Sequence, residues 1–145
     1  MKAYPHHYWV AAMAGPDGDV VLSSAGLESL RTAAPLEFDG PGDRWSPETL
    51  LIGAIADCFV LTFRPVARAG KLSWVSLDCE VEGTLEREQG MTRFTGFVLR
   101  VRLGVPAGTD VEMAERALRK AEEGCLISNS LSGQRQLTAS VEIVA

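Results

Sequence analysis

Hydrophobic residues in this chain follow two periods, and the contrast between them lays out its elements. Across residues 46–65, SPETLLIGAIADCFVLTFRP, apolar side chains from Leu50 to Phe63 fall on every face of a helix and leave no polar stripe. Ser46 is a good N-cap, Pro47 sits where a missing N–H does no harm, and Glu48 puts a negative charge in the first turn. Pro65 is expected to end or kink this helix. Asp57 and Cys58 alone interrupt its apolar middle. A membrane span is the competing reading, but Asp57, Glu48 and Pro65 all speak against it. The expectation is a core helix whose burial is completed in a dimer interface.

After this helix the period changes to two. Val75, Leu77, Cys79 and Val81 alternate with Ser76, Asp78, Glu80 and Glu82, the signature of a strand with one wet face. Gln89-Gly90 turns the chain into a second strand, where Phe97, Leu99, Val101 and Leu103 alternate with Val98, Arg100 and Arg102, so the two form a hairpin. A last strand runs from Leu137 to Ile143. Between them the helical period returns. Thr109 and Glu112 read as a capping box, the stripe Val111, Ala114, Ala117, Leu118 and Ala121 follows, and Gly124 is placed to end the helix. Residues 125–131 read as a second short helix or turn.

Ahead of the long helix, residues 6–13 and 19–23 read as two strands around a Pro16-Asp17-Gly18 turn. A third extended piece covers 26–32, and a breaker-rich loop covers 35–43. Residues 66–71 form a short helical tail or turn around Gly70. Strands, long helix, strands, helix, strand is an α+β order. With no repeat, linker or low-complexity tract, residues 1–145 are expected to form one domain.

Charge and composition act mainly by exclusion. A net charge of −5, with 14 basic residues spread along the chain, gives no footing for nucleic acid or an anionic membrane surface. The N-terminal MKAYPHHYWV lacks the apolar run of a secretory signal, which points to the cytoplasm. Three cysteines, Cys58, Cys79 and Cys125, have no CxxC spacing, and His6 and His7 read as a solvated edge, so a structural zinc site is not expected. An odd count in a reducing compartment argues against a disulfide scaffold. Two readings stay open: inert buried thiols or redox-active ones.

Cys79 falls on the apolar face of its strand and reads as structural. Cys58 is held mid-helix in apolar surroundings, where an ionised Asp57 would tend to raise its pKa. Cys125, after a helix-ending glycine and near the start of a new helical turn, occupies the kind of position that lowers a thiol pKa. If the Cα atoms of Cys58 and Cys125 come within about 7 Å, the pair can cycle between dithiol and disulfide.

SPETLLIGAIADCF followed by AEEGCLISNSL resembles the paired cysteine motifs of the OsmC/Ohr family, the osmotically inducible and organic hydroperoxide resistance proteins. The first motif is similar to Ser/Asn-Pro-Glu-x-Leu, a run of small residues, and Cys followed by Phe or Leu. The second is similar to Ala, three residues, Cys-Pro, an apolar residue and Ser. The resemblance extends over the whole chain. It implies an OsmC-like fold, with antiparallel sheets around a long central helix, as an intertwined homodimer with active sites at the subunit interface. It also implies that Cys58 is the peroxidatic thiolate, that Cys125 resolves its sulfenic acid to a disulfide, and that a dithiol, typically a lipoylated protein, reduces that disulfide without metal, haem or flavin. Glu48 occupies the family's Pro-Glu position, whose carboxylate orients an arginine at the thiolate. Glu48 and Cys58 are ten residues apart on one helix, roughly 15 Å, so Glu48 would act through an intermediary or across the dimer.

Three positions depart from the pattern. Members of the Ohr branch carry the catalytic arginine in a Gly-Arg-Asp-Gly-like turn of the first hairpin, where this chain has Gly15-Pro16-Asp17-Gly18. Arg44 and Arg31 are the candidates to replace it. Asp57 stands beside Cys58, and Leu126 stands where the second motif has proline. The chain therefore resembles the general OsmC-like branch more than the Ohr branch. The expected function is thiol-dependent reduction of organic hydroperoxides, and of hydrogen peroxide as an extension, by Cys58 and Cys125 with Glu48. The alternative is a catalytically weak or inactive member that binds a small apolar ligand at the dimer interface. A cysteine hydrolase would need a histidine base, and the chain offers only His6 and His7.

Overall fold

Ser46 starts the long helix as its sequence predicts, but through a reciprocal pair. The Ser46 Oγ accepts from the Thr49 backbone N–H at 3.1 Å, and the Thr49 hydroxyl accepts from the Ser46 backbone N–H at 2.8 Å. The helix, α1, spans Pro47–Ala69. Pro65 does not end it. Buried Phe63 and Ala67 flank Pro65 on the packed side, while the proline ring faces outward, so packing outweighs the lost hydrogen bond. The helix closes instead at Lys71, in the left-handed region at φ 53, with Leu72 N–H bonded to the Ala67 carbonyl at 2.9 Å.

The computed structural model describes residues 1–144, which fall into two compact units, Met1–Leu50 and Leu51 onward. In the first, strands β1 (Ala11–Met13), β2 (Val20–Ser23) and β3 (Leu30–Thr32) form an antiparallel sheet in that order. The strands are shorter than their apolar runs suggest. Tyr8, Trp9 and Val10 stay outside β1 and exposed, and residues 24–27 make a turn closed by Leu27 N–H on the Ser24 carbonyl at 3.1 Å. The predicted loop carries one 3₁₀ turn, Leu36–Phe38.

The second unit holds most of α1, strands β4 (Ser76–Glu88), β5 (Met91–Val105) and β6 (Gln134–Ile143), and helices α2 (Val111–Glu123) and α3 (Leu126–Asn129). The sheet order is β4-β5-β6. The β4–β5 hairpin is antiparallel and turns through Gln89 and Gly90, both left-handed at φ 51 and 78. β6 pairs parallel to β5, so this sheet is mixed rather than purely antiparallel. The helical crossover α2–α3 returns the chain to the starting end of β5, which a short hairpin cannot do.

The sheet's period-two pattern packs against the helices' periodic stripes. Phe97, Leu99, Val101, Leu103 and Val105 line the inner face of β5, against Ile55, Phe59, Phe63 and Ala67 of α1 and Ala114, Leu118 and Ala121 of α2. Gly83 is what lets α1 approach β4: a Cβ there would stand 2.4 Å from Ile52 Cδ1. The α2 start differs from the expected capping box. Asp110 is the N-cap, accepting from Met113 N–H at 3.2 Å, while the Thr109 hydroxyl donates to the Pro106 carbonyl at 2.7 Å. Asp110 stands three residues before an N–H that its short carboxylate can reach, and Thr109 is drawn back into the preceding turn.

By length and composition α1 meets the requirement for crossing a membrane. Ile55, Phe59, Phe63 and Ala67 along one side of it are buried in the core of the second unit.

Candidate active site

Cys58 and Cys125 meet in the second unit because of how α2 ends. Gly124 terminates α2 as predicted, yet in right-handed conformation at φ −88, so left-handed glycine freedom is not the cause. The turn comes one residue later. Cys125 is extended at φ −67, ψ 104 and caps α3, its carbonyl accepting from Asn129 N–H at 2.9 Å. The first amides of α3 then face Cys58 on α1. Backbone N–H groups of Leu126 and Ile127, the Cys125 thiol and the Thr62 hydroxyl all bear on the Cys58 sulfur, the last with Oγ1 at 3.8 Å. Thr62 lies four residues on from Cys58, one turn along the same face of α1. No disulfide joins the two cysteines in this structure.

The two thiols are driven apart in acidity. At Cys58 burial works against the thiolate, but the Ile127 N–H, the Cys125 thiol, the Thr62 hydroxyl and the Leu126 N–H outweigh it and hold the group below the ordinary thiol range. At Cys125 burial dominates and raises the pKa, despite the nearby Ser128 N–H and hydroxyl, and the Cys58 sulfur raises it further. This reverses the expectation for Cys125: the N-terminal amides of α3 serve the facing Cys58, not the residue that precedes them. The buried Ser128 hydroxyl lies against the Cys125 sulfur without a well-formed hydrogen bond. Cys79 is pushed up to about 11, first by burial and then by Cys125. Asp57 is exposed and is not among the groups that act on the Cys58 sulfur.

Glu48 belongs to the first unit. Its Oε2 is buried with no hydrogen-bond partner and lines an apolar cavity of about 460 Å³ with Val20, Leu22, Ala33, Pro35 and Phe38. The candidate replacement arginines are held elsewhere in that unit. Arg44 Nε lies 3.2 Å from Asp19 Oδ2 and its Nη1 3.3 Å from Asp43, while Arg31 Nη1 lies 3.6 Å from the same Asp19 oxygen. His6 stacks on Tyr4 with ring centroids 4.6 Å apart, and its Nε2 lies 2.9 Å from the Lys2 carbonyl.

Sequence reasoning missed Thr62, Leu126, Ile127 and Ser128. Leu126, Ile127 and Ser128 were visible as part of the second motif and Thr62 as a residue one turn from Cys58, but the roles of the first three run through backbone groups or a neighbour known only once the chain is folded.

An α+β chain with paired thiols on a long helix and a crossover bend defines a class of protein, and the comparisons specify it. The sequence model of the OsmC-like protein family matches residues 40–140. The chain belongs to the OsmC-like family. It is 29% identical to the uncharacterised protein YmaD of Bacillus subtilis, over 95% of this chain and 96% of that one. Its fold is similar to that of an OsmC-like protein of unknown function from Vibrio cholerae, with a TM-score of 0.86 at 16% identity, covering 94% of this chain and all of that one. A crystal structure of an organic hydroperoxide resistance protein OsmC from Legionella pneumophila matches with a TM-score of 0.75 and 28% identity, over 97% of this chain and 99% of the other. The OsmC-like fold expected from the cysteine motifs is therefore the fold of this chain.

Proposed function

We propose that this chain is a thiol-dependent peroxidase that reduces organic hydroperoxides, working in the cytoplasm as a homodimer of single-domain subunits. The observation that carries the reading is the contact between an acid-shifted Cys58 and a proton-bearing Cys125. Family membership and the name of the Legionella relative supply the substrate class. The Cys58 thiolate attacks the terminal peroxide oxygen, the O–O bond breaks, and the alkoxide takes a proton and leaves as alcohol. Cys58 is then a sulfenic acid. The Cys125 sulfur attacks it, the S–S bond forms, the S–O bond breaks and water leaves. A dithiol, with lipoylated protein the expected class, restores both thiols by exchange.

In this reading Glu48 is the third site residue and acts from the partner subunit or through an intermediary. The dimer is supported by what α1 leaves uncovered. Its residues are apolar all round, yet one stripe is buried in the protomer, and Leu61 is 51% exposed.

Intact mass before and after one equivalent of cumene hydroperoxide tests the function. The expected result is loss of two hydrogens, with peptides joining Cys58 to Cys125. A Cys58→Ser variant that consumed peroxide at the full rate would overturn it.

A second reading has its own observation. The hairpin lacks the family arginine, and the cavity beside Glu48 is lined mainly by apolar residues, as suits a weak or inactive member that holds a small apolar ligand. Protein that stays fully reduced under stoichiometric hydroperoxide would favour it.

A further inference from the structure

Arg135, near the start of β6, reaches both flanks of the bend that carries Cys125. Its Nε donates to Glu122 Oε1 at 2.7 Å, its Nη2 to the Glu122 backbone carbonyl at 2.6 Å, and its Nη1 to Asn129 Oδ1 at 2.7 Å. Asn129 passes the tie back, donating its Nδ2 to the Glu123 carbonyl at 3.0 Å. A single planar guanidinium thus joins the last turn of α2 to the end of α3.

Its setting is unlike that of the other ion pairs. The Arg135 and Glu122 side chains are 24% and 17% exposed, whereas the cross-strand pairs Arg100–Glu82 and Arg102–Asp78 are 48–69% exposed. A screened surface pair fixes little, but a forked, largely enclosed one fixes the orientation of both partners. The cation also sits at the last carbonyls of α2, where the helix dipole favours it. Lysine has one donor centre and cannot span Glu122 and Asn129 in this way.

We propose that Arg135 is the positioning residue of this site: its clamp on Glu122 and Asn129 fixes the bend so that the Cys125 sulfur and the Leu126 and Ile127 amides face Cys58. The inference deepens the peroxidase reading and rests on it for its role in turnover. Condensation of Cys58 sulfenic acid with the Cys125 thiol, which forms S–S and releases water, needs the two sulfurs in line. A bend free to rotate would leave the sulfenic acid waiting.

Full-length Arg135→Met and Arg135→Lys test it with two readouts. The first is the pH profile of iodoacetamide addition to Cys58 in the reduced protein, mapped by peptide mass. The second is the rate of Cys58–Cys125 closure, driven in parallel by one equivalent of cumene hydroperoxide and by the thiol oxidant diamide. In Arg135→Met the alkylation profile should move to higher pH and closure should slow by about 10-fold or more, the usual scale of loss when a supporting residue lets reacting groups drift. Dimedone should then trap sulfenic acid on Cys58 after peroxide. Arg135→Lys should fall between, and decides on the same readouts if Arg135→Met fails to fold.

A folded variant with a lower Tm but wild-type alkylation profile and closure rate would reduce Arg135 to a stabilising residue and overturn the proposal. Wild type that ignores hydroperoxide, with diamide closure still slowed in the variants, would overturn the peroxidase reading and uphold the clamp.

Discussion

Cys58 and Cys125 are chemically identical side chains made unequal by four donors. Cys58 faces two backbone amides, a hydroxyl and a thiol, while Cys125 is enclosed and must share its proton with a neighbour that prefers to be anionic. Iodoacetamide should therefore react with Cys58 first, with a midpoint below the ordinary thiol range, and Thr62→Val should move that midpoint upward while Thr62→Ser retains it. Cys79, at about 11, should stay unmodified at neutral pH, and Cys79→Ala should leave peroxide consumption at the wild-type rate. The shifts also act on stability. A lowered folded pKa at Cys58 means that the unfolded chain binds more protons as pH approaches 9, so stability rises with pH through that window. Cys79 acts oppositely between 9 and about 11, where the folded state keeps its proton longer and stability falls as pH rises. Urea titrations of wild type and Cys79→Ala across this range should differ in slope above pH 9.

At the scale of elements, α1 supplies the two largest fully buried side chains. Phe59 and Phe63 are fully buried between sheet and helix, and Phe59→Ala should cost about 3–5 kcal/mol by urea denaturation, through lost transfer energy and the cavity left behind. Ser46→Ala should cost about 1 kcal/mol by the same measurement, since it removes one side of the reciprocal cap with Thr49. The periods of β4, β5, α2 and β6 were all legible because each reports a burial face fixed by local geometry, and α1 was legible from its long apolar run between cap and proline. Element ends were less so. Pro65 could not break α1 against the packing of Phe63 and Ala67, and the helix cap fell on Asp110 instead of Thr109 because two adjacent cap-competent residues compete and the preceding turn, which holds the Thr109 hydroxyl on the Pro106 carbonyl, decides. Apolar character at Tyr8, Trp9 and Val10 did not produce a strand, since nothing in β2 extends far enough to pair with it.

For the whole molecule, the family and fold follow from the chain's own motifs, and the proposed dimer would cover the apolar side of α1 that the protomer leaves exposed. Light scattering at micromolar concentration should give twice the 15.6 kDa protomer mass. Leu61→Asp should return the mass to one protomer with the far-UV spectrum preserved, because the substitution charges an exposed apolar position and leaves the buried stripe intact. A protomer mass for wild type would remove the homodimer from the proposed function.

The sequence by itself determined the α+β class, the long apolar helix α1, the hairpin, and the two cysteine motifs with their family, since periodicity and short motifs are properties of neighbouring residues. Tertiary structure alone decided that the α3 amides serve Cys58 instead of Cys125, that Arg31 and Arg44 are both drawn to Asp19, and that Arg135 ties the bend together. Each of these depends on which groups become neighbours in space. An electrostatic partner 13 residues away across a helix end, as Arg135 is from Glu122, leaves no local pattern by which to find it.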